Sequence, residues 1–174
     1  MKTLLRNAVL GLAGAALMIL TSLASAASPA TTTFQVQASV VANCLVTANS
    51  LAFGTYDPTA ADRDVDTTVS VRCTNGTGYT VALNAGVTAG TTLALRKMTD
   101  GTNFMNYNLY RDAARSEIFG DGVAPGTYTV TGTGTGIGLG QAQTVNVYGR
   151  IPTGQDTLPI GTYTETTITV TVTF

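Results

Sequence analysis

A chain of 174 residues with nine Lys and Arg against ten Asp and Glu, no histidine and no tryptophan excludes several kinds of function. Without imidazole there is no Ser-His-Asp triad, no base to activate a cysteine and no histidine metal ligand. A near-neutral charge without a basic run argues against nucleic acid as a partner, and the abundance of Thr, Val and Gly is a strand-and-turn composition.

In chain order, Lys2 and Arg6 precede an apolar or glycine run from Ala8 to Leu20, which exits through Ala24-Ser25-Ala26. A basic start, a hydrophobic stretch and an A-x-A exit read as a secretory signal peptide over 1–26, cleaved after Ala26. The run is shorter than the roughly 20 residues that a spanning helix needs. No second such stretch follows, so the mature chain is expected to be exported, without a membrane span. Residues 27–43 form an N-terminal extension, whose small, polar lead with Pro29 suits a mobile segment. From Thr32 to Val41, Phe34, Val36, Ala38 and Val40 alternate with Gln35, Gln37 and Ser39. Period two of this kind marks a strand with one apolar face. Periodicity alone leaves open whether that strand belongs to its own domain.

Cys44 and Cys73 are the only cysteines. In an exported domain such a pair is read as a disulfide. The domain itself is placed at 44–174. Alternation recurs at Val69, Val71 and Cys73; at Tyr79, Val81 and Leu83; at Leu93 and Leu95; and at Met105, Tyr107 and Leu109. It continues at Tyr128 and Val130, at Val145, Val147 and Ile151 around Gly149, and at Ile168, Val170, Val172 and Phe174. Turn signals at Asn75-Gly76, Asp100-Gly101, Asp121-Gly122, Pro125-Gly126 and Ile160-Gly161 separate these runs. Only Ala113 to Ile118 suggests a helical turn. Many short strands with frequent turns predict an all-β, immunoglobulin-like β-sandwich.

Several segments with chemically interesting residues read as structural. Gly132 to Gly140 lacks the glycine spacing and following helix of a phosphate loop, and a flexible inter-strand loop is expected. Asp62, Asp64 and Asp66 begin like a calcium loop, but Thr67 and Cys73 stand where its glycine and bidentate glutamate belong, so a solvated acidic turn is expected. Asn75-Gly76-Thr77 matches a glycosylation sequon that an Asn-Gly turn explains equally well. Arg111-Asp112-Ala113-Ala114-Arg115 reads as a surface turn with weak ion pairs. No catalytic residue, metal or cofactor is expected.

The segment Tyr107-Asn108-Leu109-Tyr110-Arg111-Asp112-Ala113-Ala114-Arg115 resembles the hallmark of spore coat protein U domains, a family that includes subunits of archaic, Csu-type chaperone-usher pili. Leu51-Ala52-Phe53-Gly54-Thr55-Tyr56 resembles that family's early strand, and Gly161-Thr162-Tyr163 with the run to Phe174 resembles its terminal strand. The Gly-rich loop and the small Ala38 depart from the pattern.

The resemblance implies an incomplete sandwich, lacking its last strand and completed by donor-strand exchange. Its partners would be a periplasmic chaperone, an outer-membrane usher and identical or related subunits in a head-to-tail fibre on the cell surface, supporting adhesion and biofilm formation. Phe34, Val36, Ala38 and Val40 would then be the donor face, and Ile168, Val170, Val172 and Phe174 would border the acceptor groove. Other readings are a self-contained adhesive or carbohydrate-binding module, and a structural coat protein of a spore or other resistant cell.

Overall fold

The alternating run Val69, Val71 and Cys73 falls in the longest strand. That strand, β2 (Arg63–Cys73), buries all three on one face. The computed structural model describes residues 28–174; the expected leader and its cleavage point lie outside the described residues. The fold is all-β, as the periodicity predicts. Among the described residues the only helical feature is a 3₁₀ turn at Leu139–Gln141.

β2 pairs antiparallel with β1 (Cys44–Ala48) on one side and with β9 (Gln143–Ile151) on the other. The larger sheet runs β1-β2-β9-β5-β6-β7, where β5 is Phe104–Tyr110, β6 Ile118–Phe119 and β7 Thr127–Tyr128, and β4 (Arg96–Thr99) pairs with the first half of β5. The smaller sheet runs β10-β3-β8, with β3 at Gly78–Leu83, β8 at Val130–Thr133 and β10 at Val170–Thr173. The buried faces of β2, β3, β5 and β9, with Phe53 and Phe119, make one core cluster.

Gly149 keeps its face of β9 flat where the core needs it. A Cβ there would stand 2.7 Å from Leu51 Cδ1 and 2.9 Å from Phe53 Cζ, inside contact distance. The glycine that interrupts the alternation thus admits two large side chains from the segment between β1 and β2.

The two sheets meet differently on their two sides. On one side the chain passes from β7 in the larger sheet to β8 in the smaller through Thr129 alone. On the other side β1 ends one sheet and β10 ends the other, and among the described residues no strand joins them. The disulfide Cys44–Cys73 links directly opposed residues of β1 and β2.

Five expectations need correction. Leu93 and Leu95 form no strand: Thr92 and Leu95 bond each other's backbones in a tight turn, and the strand begins with buried Arg96. Tyr128 and Val130 are not one inward set, because the chain changes sheets between them; Tyr128 is exposed and its neighbour Thr127 is buried. Ala113 to Ile118 is no helical turn. The Asp112 carboxylate accepts from the backbone N–H of Ser116 and Glu117, and Arg115 takes φ +56°, a left-handed conformation that ends helical winding.

The glycine-rich stretch is not a free loop. Gly132 lies in β8, Gly134 N–H donates to Thr77 O at 2.7 Å and Gly136 N–H to Cys73 O at 3.0 Å. A Cβ on Gly134 would meet Cys73 O at 2.6 Å. The fifth correction concerns the acidic trio. Asp64 and Asp66 lie on β2 with Asp62 just before it, and Arg150 grips Asp64 with two bonds of 2.8 Å. Arg150 also reaches Asp62, and Arg115 reaches Asp64 and Asp66. The trio is a cross-strand ion-pair ladder rather than a solvated turn.

Candidate functional site

Residues opposed across an antiparallel pair share a face of the sheet. Val46 of β1 opposes Val71 and Ala48 opposes Val69, so both point toward the core. Val71 is fully buried, yet Val46 remains 41% exposed. On β10, Val170 opposes Leu83 and Val172 opposes Val81; those partners are buried, while both valines of β10 are half-exposed. The inward residues of both edge strands therefore stand partly bare above a packed interior.

A cleft of about 1050 Å³ opens beside them, reached by Ala48 at the end of β1 and Val170 at the start of β10. Its floor is the core itself, including Leu83, Met105, Tyr107 and Val147. Its lips are the coil segments that carry Leu51 to Tyr56 and Leu158 to Ile168. A packed interior holds no such space.

The second lip is fixed by hydrogen bonds. Thr99 and Thr164 exchange backbone bonds of 3.0 and 2.9 Å. One Glu165 carboxylate oxygen accepts from the N–H groups of Val87 and Thr88, at 3.0 and 2.9 Å. Gly86 (φ +97°) makes room for it, since a Cβ there would lie 2.6 Å from that oxygen. Partial burial works against the Glu165 charge, but donated bonds from Thr167, Thr88 and Val87 outweigh it and hold the carboxyl below its ordinary value. Beneath the cleft, the Tyr107 hydroxyl is buried without a hydrogen-bond partner, and burial pushes its pKa up.

Residues 28–43 carry no strand among the described residues. Phe34, Val36 and Val40 are 86%, 82% and 87% exposed, and Ala38 is exposed as well. This alternating apolar face is therefore presented to solvent. On the expected acceptor side, Ile168 and Val170 line the cleft. Val172 follows on the same face of β10, and Phe174 lies past the end of the strand, exposed.

The charged hallmark segment contributes corners rather than chemistry. Arg111 pairs with Glu117 at 2.7 Å, donates to Thr129 O at 2.7 Å and stacks 4.7 Å from the Tyr128 ring centre. Arg115 is only 11% exposed in its side chain and donates to Gly149 O, which makes it more than the surface turn residue expected. Among the described residues no cluster of three His, Cys, Asp or Glu could hold a metal.

Sequence reasoning missed Arg96. It is wholly buried and donates to Asn84 O, Phe119 O at 2.7 Å and Asn108 Oδ1 at 2.7 Å. Burial lowers its pKa to about 10, which leaves it charged at neutral pH.

Fold and cleft define an all-β, immunoglobulin-like domain whose core is open along one edge. The family model described as Spore Coat Protein U domain matches residues 30–173, and the chain belongs to that family. It is 33% identical to Protein U of Myxococcus xanthus over 98% of both chains. Among solved structures it is similar to a chain of the CsuC–CsuE chaperone–tip adhesion subunit pre-assembly complex, from the archaic chaperone-usher Csu pili of Acinetobacter baumannii. There the TM-score is 0.53 and the identity 26%, over 78% of this chain; the match spans 40% of the length of that solved chain.

Proposed function

We propose that this protein is an exported structural subunit, not an enzyme, that polymerises into a chaperone-usher pilus by donor-strand exchange. The observation that carries the reading is the open cleft at the ends of β1 and β10 in a chain that also presents an alternating apolar arm. An unfilled sandwich exposes apolar surface and unpaired backbone, a combination that draws in another strand. A strand added there is held by backbone hydrogen bonds, and its alternate side chains enter the core. The arm offers Phe34, Val36, Ala38 and Val40 for this purpose, and Ile168, Val170, Val172 and Phe174 border the receiving side. A periplasmic chaperone would occupy the cleft first, and at an outer-membrane usher the arm of the next subunit would replace it. Because donor and acceptor are different surfaces, the contact propagates head to tail instead of closing. The pilus would serve adhesion and biofilm formation at the cell surface.

Each large side chain seated in the cleft should contribute about 1.5–3 kcal/mol, and a charge stranded there should cost several. Val36→Asp is expected to leave the monomer's thermal unfolding and chaperone binding unchanged while abolishing fibres in electron micrographs. Val170→Asp is expected to prevent chaperone capture and lead to degradation. If Val36→Asp unfolds the monomer as severely as Val170→Asp, the arm serves its own domain and the proposal fails. A coat protein of a resistant cell is the second reading, favoured by the family's own description; chaperone and usher genes beside this one would count against it.

A further inference from the structure

An open strand edge accepts any strand, so a protein that recruits one must shield its other edges. In β5, Asn108 pairs with Arg150 of β9. Two residues earlier, Asn106 turns its backbone N–H and C=O to the same side, where its partner would be Pro152. Proline has no N–H to give, and β9 ends at Ile151. The Gln155 side chain takes the empty place. Its Oε1 accepts from Asn106 N–H at 2.7 Å, and its Nε2 donates to Asn106 O at 3.0 Å. A side-chain amide thus reproduces both bonds of the absent strand residue.

Gln155 is itself held in place. Its Nε2 also donates to Pro152 O at 3.2 Å. Its backbone N–H donates to the Tyr56 hydroxyl, which in turn donates to Pro152 O at 2.9 Å. The far edge of the β4–β5 hairpin is covered as well, by one side chain and by the backbone bridge that fixes the cleft's second lip. Lys97 N–H donates to Thr91 Oγ1 at 3.3 Å, and Thr99 is bridged to Thr164. By contrast, no side-chain hydrogen bond among the described residues reaches the backbone of Cys44–Ala48 or Val170–Thr173, strands that meet the cleft at Ala48 and Val170.

The geometry points to Gln155, which itself lines the cleft, as a strand-edge guard, a specificity-determining residue that denies β5 to an incoming strand of a second copy and so directs its pairing to β1 and β10. The inference rests on the donor-strand reading above. The test uses the full mature chain in four forms: unaltered, Val36→Asp, Gln155→Ala and the double variant. Sedimentation measures the monomer, and a fluorescent peptide of residues 32–43 measures strand uptake.

With its own arm disabled, the Val36→Asp chain is expected to stay monomeric and to bind one peptide. Adding Gln155→Ala is expected to cause loss of monomer and binding of more than one peptide, with the circular dichroism spectrum unchanged. Gln155→Glu, which keeps the acceptor and loses the donor, is expected to show the same change in weaker form and serves if the alanine variant does not fold. Unchanged monomer and a single bound peptide in these double variants would overturn the guard. If the Val36→Asp chain instead takes up no peptide while Gln155 variants still self-associate, the donor reading fails and the guard stands.

Discussion

Arg96 illustrates how a single residue can organise a corner that its sequence context conceals. A charged side chain is rarely buried without partners, so a strand reading of Leu93 and Leu95 places the leucines inside and the arginine out. The reverse holds because three acceptors converge on the guanidinium: the carbonyls of Asn84 and Phe119 and the side chain of Asn108. They come from separate parts of the chain, and no local pattern announces them. Arg96→Met keeps volume but leaves these acceptors without donors; at about 1.5–3 kcal/mol per charged hydrogen bond before relaxation, a net loss of about 3 kcal/mol or more is expected. Urea unfolding would measure it, and Arg96→Lys should recover only part, since an ammonium lacks the planar fork.

Among elements, those with clean period two were legible. Val69-Val71-Cys73, Tyr79-Val81-Leu83, Met105-Tyr107-Leu109 and Val145-Val147 all face the core, because one buried face of a strand enforces alternation. What the sequence concealed lies where tertiary geometry overrides the local pattern: the change of sheet at Thr129, the Asp112 cap, and glycines fitted against the Cys73–Thr74 backbone. The candidate cleft was legible only in part: Ile168 and Val170 follow the alternation, whereas the cleft's lips are coil, without periodicity. β1 has hydrogen-bonded support on one edge only, so its covalent tie to β2 carries unusual weight. Cys44→Ser with Cys73→Ser is expected to cost about 2–4 kcal/mol. Hydrogen exchange should show β1 losing protection before β2 does.

For the molecule as a whole, acidity is the expected weakness. Asp64 is held below its ordinary 3.8 chiefly by its bond with Arg150. Asp100 falls to about 2 through bonds from the Asn103 side chain and the Asn103 and Thr102 backbone. Asp121 is lowered by the N–H groups of Ala124 and Val123, and Glu165 by the donors already described. A carboxyl depressed by folding stabilises fully above its unfolded value and ceases to do so as pH falls through its folded one. The melting temperature is therefore expected to be level with respect to these groups above about pH 5 and to fall between about pH 4 and 2. A flat profile across that interval would show that these bonds do not survive in solution.

The position of the disulfide has a mechanical consequence. In a fibre of the proposed kind, each subunit would be pulled through its arm, and the force would enter the domain at Cys44. An edge strand pulled from its end can peel away one hydrogen bond after another. Here the load passes at once through the sulfur bridge into Cys73 of β2, directly opposite. β2 is held to β9 along a ladder from Arg63↔Ile151 to Val71↔Gln143. Force along β2 would load those bonds together, in shear, and the subunit's resistance to stretching would be set by its central strand pair rather than by its most exposed one.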